Sequence, residues 1–224
     1  METKIITLVN QKGGCGKTTV CMQLAGALGR EGCKVLVVDA DTQGTASRWA
    51  ACADEKTPFP AMISGMSAIG SKVHQEVKKY IGQYEYIFID CPPAYDSLIP
   101  QSALLIADVA LIPVIPSPAD IWAAKGIQQL IERVQIQNEA LSAYVIPNMC
   151  SHTNLNEDAI DGLSELGMKI TATSLGLRTA YRVSSVIGGT VFDLKTESAL
   201  QAQEEIKSLM KELINKLLKN KLTI

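Results

Sequence analysis

The run Asn10-Gln11-Lys12-Gly13-Gly14-Cys15-Gly16-Lys17-Thr18-Thr19 constrains the fold of this chain more than any other feature. An apolar stretch over 5–9 precedes it, and Val20, Leu24 and Leu28 follow it at helical spacing. A glycine-rich turn between a buried strand and a helix aims successive backbone N–H groups at an anion. The helix N-terminus adds its partial positive charge. In such a cradle Gly13, Gly14, Cys15 and Gly16 supply backbone and Lys17 bridges the β- and γ-phosphates. The Thr18 hydroxyl ligates Mg²⁺, and Thr19 donates to the α-phosphate.

The rest of the chain repeats the strand-then-helix pattern. Runs over 35–38, 86–89, 109–114 and 143–146 read as strands buried on both faces. Ile121, Ile127, Leu130, Ile131 and Val134 return to helical spacing. The fold class expected is α/β, a mostly parallel twisted sheet with helices on both faces. Residues 47–71, with Pro58 and Pro60, read as a loop, a short helix and an edge strand, and 197–222 as a long helix. All 224 residues read as a single domain.

Two segments supply carboxylates. Val35 to Gly44 ends an apolar run in Asp39 and Asp41, which strand alternation points to one side. Residues 87–93 end another in Asp90, followed by Cys91, Pro92 and Pro93. A carboxylate closing an apolar strand is costly to bury without a cation, so Asp90 is expected at a Mg²⁺.

A lysine ahead of the glycines, in Lys12-Gly13-Gly14-Cys15-Gly16-Lys17-Thr18-Thr19, resembles the ParA/MinD family of deviant Walker A ATPases. The Asp39-Ala40-Asp41-Thr42-Gln43-Gly44 run is similar to that family's D-x-D-P-Q-G motif, with Thr42 in place of proline. Residues 112–120 are similar to its P-x-x-P-x-x-x-D segment. The resemblance runs from Ile5 to about Asp193. It implies a P-loop NTPase fold, ATP and Mg²⁺ as cofactors, and hydrolysis to ADP and phosphate. Lys12 then reaches a partner's phosphates across an ATP-bound homodimer. Asp41 orients or activates the attacking water, Asp39 supports the Mg²⁺ side, and Asn148 contacts adenine. No Asn-Lys-x-Asp run occurs, which favours ATP over GTP.

Gln11 and the Asp-Thr-Gln-Gly run point to the ParA branch, in its short form without an N-terminal DNA-binding domain. That branch implies a partition ATPase moving plasmids or chromosomes, reset by a ParB-type centromere-binding adaptor, cytoplasmic and nucleoid-associated. It also implies non-specific DNA contacts through a basic region. Residues 168–195 hold four basic side chains, Lys169, Arg178, Arg182 and Lys195, against Asp193 alone. Arg178 and Arg182 are the candidate contacts. The net charge of −2 excludes coating nucleic acid by bulk charge.

The rival reading is a MinD-like positioning ATPase docking on membrane through 206–222. There Lys207, Lys211, Lys216, Lys219 and Lys221 flank an apolar stripe. Packing of that stripe on the sheet is the preferred explanation. An iron–sulfur ATPase would need paired cysteines, and Cys91 and Cys150 read better as ordinary thiols in a cytoplasmic protein. No apolar run reaches the ~18 residues of a spanning helix.

Overall fold

Each central strand feeds two cores, because successive side chains alternate across the sheet. A computed structural model of the chain describes residues 2–93, 97–151 and 167–219. Strands β1 (Lys4–Leu8), β2 (Val35–Asp39), β3 (Met62–Gly65), β4 (Tyr86–Asp90), β5 (Val109–Val114), β6 (Ser142–Pro147) and β7 (Lys169–Ile170) form one sheet. Its order is β3-β2-β4-β1-β5-β6-β7, and every pairing is parallel.

The described helices are α1 (Lys17–Arg30), α2 (Thr45–Ala51), α3 (Val73–Val77), α4 (Ile99–Leu104), α5 (Pro118–Gln135), α6 (Thr179–Val186) and α7 (Glu197–Lys219). Ile6, Leu8, Val35, Val37 and Phe88 pack against α1, α2, α6 and α7. Their neighbours Ile5, Leu36, Val38, Ile87 and Ile89 pack against α3, α4 and α5. Strands apolar on both faces thus find helices on both faces, as their composition requires.

Most elements lie where the sequence puts them. The 47–71 stretch contains most of α2 and the edge strand β3. The sequence pattern does not foretell β7, since two residues carry no period, nor α6, within a segment notable only for its charge. In α7 the residues Ile206, Leu209, Leu213 and Leu217 are buried in the core. The stripe that suggests a membrane surface is therefore spent on packing. Lys221, Leu222 and His152 lie outside the described residues. Among the described residues no helix is long and apolar enough to cross a membrane.

Parallel strands bring their carboxyl ends to one edge, where ligands of open α/β sheets bind. The phosphate-loop segment leaves β1 there, with Asp39 and Asp90 ending β2 and β4 and Asn148 following β6.

Candidate nucleotide-binding site

The loop between β1 and α1 is shaped by side chains on either side of it. Asn10 is buried, donates Nδ2–H to the Pro113 carbonyl at 2.7 Å, and accepts the Lys12 N–H at 3.1 Å. Asn10 precedes the glycines and plays no part in the phosphate motif, yet an amide closing an apolar strand is a signal in itself. Gly16 has a φ of 92°, and a Cβ there would collide with the Asn148 amide. Only glycine meets both demands. Among the described residues no side chain caps α1, so its first N–H groups remain available to an anion.

Lys17 begins α1 and is 7% exposed, its ammonium donating to the Lys12 carbonyl at 3.0 Å. Lys12 is different. Its Nζ lies 2.9 Å from both oxygens of Asp120 and hydrogen-bonds to Oδ2. Asp120 is itself buried and paired with Ser117, the side chain that caps α5. The proline-bracketed segment over 112–120 thus supplies the partner of the second lysine. Sequence alone does not join residues 108 positions apart.

The acidic group converges as expected. Asp39 and Asp90 are register partners on neighbouring strands, and Thr18 Oγ1 donates to Asp90 Oδ2 at 2.7 Å. Asp39 Oδ2 accepts the Ser47 N–H at 2.8 Å and its hydroxyl at 2.7 Å. The remaining oxygen of each, Asp39 Oδ1 and Asp90 Oδ1, is buried with no hydrogen-bond partner among the described residues. Burial pushes the Asp90 carboxyl up to about 7. The Thr18 hydrogen bond opposes the rise and the Asp39 charge adds to it. Two adjoining buried carboxylates with orphaned oxygens, beside a threonine hydroxyl, fit a hard divalent cation. Asp41 is half-buried at the same edge and accepts the Gln43 N–H at 2.9 Å, a turn closed by Gly44.

The raised Asp90 has a measurable consequence. Its carboxyl titrates near 3.8 when unperturbed and about 7 when folded, so the native chain holds the proton more tightly. In chelator, stability is therefore full below about pH 4 and falls as pH rises through about 7. Thermal melts between about pH 5 and 8 should show this decline, and Asp90→Asn should flatten it. A parallel decline in the variant would remove Asp90 as its source.

Beside the loop lies a cleft of about 340 Å³ lined by Thr19, Trp49, Asn148, Met149, Leu177 and Tyr181 among others. Its apolar walls and few polar groups suit a flat heterocycle. Asn148 is present but engaged, since its Nδ2 donates to the Cys15 carbonyl at 2.7 Å. It braces the phosphate loop, and what remains for a base is its amide oxygen. Met149 has a φ of 55°, which non-glycine residues rarely adopt, and it lines the cleft. Trp49, Met149 and Tyr181 share no sequence motif, because they come from elements that meet only in three dimensions.

The basic region is also redistributed. Arg178 pairs with Glu205 at 2.6 Å and bonds to Gln201, whereas Arg182 and Lys195 are exposed. Arg182 is thus the more exposed of the two candidate arginines, and both line the cleft beside Thr19. Cys91 is fully buried, and burial drives its thiol well above the ordinary range, as for any core cysteine.

The chain is similar to known nucleotide-binding proteins. Residues 6–185 match a family model described as the CobQ/CobB/MinD/ParA nucleotide binding domain. The maintenance of carboxysome distribution protein A of Halothiobacillus neapolitanus is 30% identical over 210 residues, covering 93% of this chain and 95% of that one. An ATP complex of McdA from Cyanothece superimposes with a TM-score of 0.77 at 18% identity, covering 95% of this chain and 96% of that one, a likeness of fold. The septum site-determining protein MinD of Pyrococcus horikoshii, complexed with Mg-ADP, has a TM-score of 0.74 at 25% identity, covering 94% and 96%.

Proposed function

The chain belongs to the CobQ/CobB/MinD/ParA family of nucleotide-binding domains, and from that premise we propose a ParA-type positioning ATPase. ATP binds with Mg²⁺, two copies close on two nucleotides, and the dimer holds DNA non-specifically until hydrolysis releases it. The observation that carries this reading is the pair of lysines in one loop: Lys17 faces inward, while Lys12 is 44% exposed and held on Asp120. A single nucleotide site accounts for one of them. The second has the reach and exposure to serve a neighbouring copy.

The residues divide the work. Backbone N–H groups of 13–19 and the α1 N-terminus hold the phosphates, and Lys17 places a buried cation among them. Thr18, Asp90 and Asp39 would hold Mg²⁺, which would draw charge from the phosphate oxygens. Asp41 orients the water. Lys12 leaves Asp120 for the partner's phosphates, so the ammonium exchanges one anion for another while the buried Asp120 carboxylate keeps the Ser117 hydroxyl. The cleft beside Thr19 takes the base, with the Asn148 amide oxygen facing it.

Support for positioning, rather than another family activity, comes from the relative matched end to end, a distribution protein for carboxysomes. It widens the cargo from plasmids and chromosomes to large protein assemblies. A ParB-type adaptor or its counterpart stimulates hydrolysis, and the dimer resides on the nucleoid. The burial of Ile206, Leu209, Leu213 and Leu217 speaks against the membrane-docked alternative.

Retention on non-specific duplex DNA tests this reading. The chain should bind with a non-hydrolysable ATP analogue and not with ADP, and lose affinity steeply with salt. Arg182→Ala should lower the log–log salt slope by about two, one phosphate contact for each protomer. An analogue-bound dimer that ignores DNA at low salt would sink the DNA step.

A further inference from the structure

One carboxylate of α7 holds three residues of the base cleft at once. Glu205 Oε2 accepts the Gly176 N–H at 3.2 Å and the Tyr181 hydroxyl at 2.8 Å. Its Oε1 accepts Arg178 Nε and Nη2 at 2.8 and 2.6 Å. Gly176, Arg178 and Tyr181 all line the cleft beside Thr19 and Asn148. Glu205 is absent from that lining, and its side chain is 16% exposed. The carboxylate therefore acts behind the wall and not in the site.

Close approach of the backbone makes the clamp possible. At Gly176 a Cβ would lie 3.1 Å from Glu205 Oε1 and 3.2 Å from the Arg178 guanidinium, so a larger residue would crowd it. Two turns further along α7, Glu212 makes a comparable clasp. It accepts the Ala172 N–H at 2.9 Å and the Thr173 N–H at 3.1 Å, and pairs with Lys216 at 2.5 Å. Residues seven apart share a helix face, so α7 grips the segment after β7 at two points. Only the Glu205 grip touches the cleft.

We propose that Glu205 is a positioning residue for the nucleotide base, fixing the cleft wall through Gly176, Arg178 and Tyr181. This rests on the reading that the cleft takes the base. Preorganisation is the physical benefit: a wall already held need not be ordered when the ligand arrives. The clamp also ties the C-terminal helix to the nucleotide, so what loosens α7 weakens binding.

The experiment uses the full chain and compares MgATP with magnesium tripolyphosphate, which lacks base and ribose. Glu205→Ala should weaken ATP by roughly tenfold or more and leave tripolyphosphate within about twofold. KM for ATP should rise with kcat little changed. Glu205→Gln, which retains an acceptor for Gly176 and Tyr181, should recover part of the loss. Glu212→Ala removes a similar number of bonds away from the cleft. It should lower the melting temperature comparably and leave ATP affinity within about twofold. Equal weakening of both ligands by Glu205→Ala, no weakening of either, or an equal ATP loss in Glu212→Ala would overturn the proposal. Wild-type chain that binds ATP no better than tripolyphosphate would instead overturn the base-cleft reading itself, a failure visible before any variant is made.

Discussion

Lys17→Ala will lose ATP affinity by about 30-fold to several-thousand-fold while keeping its fold. The lysine is 7% exposed, with its ammonium inside the phosphate loop at 3.0 Å from the Lys12 carbonyl. Truncating one side of a buried charge pair costs about 2–5 kcal/mol, and each ~1.4 kcal/mol is tenfold in Kd. Stability should move the other way, or hardly at all. A cation at the first turn of a helix opposes the macrodipole, so alanine at position 17 relieves a small penalty in α1. Lys17 is thus placed for its ligand and against the preference of its own helix. Isothermal titration of MgATP beside a thermal melt separates the two effects. Near-normal affinity in a well-folded variant would refute the phosphate cradle.

Asp41→Ala should bind ATP within a few-fold of wild type and turn it over about 10²–10⁴ times more slowly, the usual contribution of a positioned acid–base group. Three aspartates share the sheet edge, and their surroundings separate their roles. Asp39 and Asp90 are buried neighbours with orphaned oxygens, which suits a cation. Asp41 is half-buried in a turn, with only the Gln43 N–H on its Oδ1 among the described residues, so the carboxylate can meet water. Single-turnover kinetics checks this, and the slowed variant should persist as the ATP-bound dimer. A variant that hydrolyses normally would move the water-positioning role elsewhere, with Asp39 and Asp90 better suited to the cation.

Local features are legible wherever one short segment carries the whole signal. The phosphate loop announces itself because strand, glycines, lysine and helix are contiguous. Asp90 announces itself because a charge that closes an apolar strand needs a cation to offset its burial, and Asp39 through the resemblance of the run it opens to a family motif. Beyond those segments, charge and apolarity leave a side chain's partner open. Arg178 has the sequence context of a surface cation and is tied to Glu205 from another helix. The stripe from Ile206 to Leu217 has the pattern of a membrane face and is core. In both cases the deciding partner lies tens of residues away.

The sequence alone carried the expected chemistry of this chain, a phosphate cradle and carboxylates for a cation, and determined strands apolar enough to demand helices on both faces. These follow from contiguous residues whose backbone geometry is set locally, so reading order and spatial order coincide. Only the tertiary structure decided that Lys12 is held on Asp120, that Asn148, expected at the adenine, also braces the phosphate loop, and that Glu205 stands behind the cleft wall. Each of these pairs joins elements brought together by the sheet's strand order and by packing across it. A side chain's partner is chosen by where the core places its backbone, and that placement is a property of the whole fold.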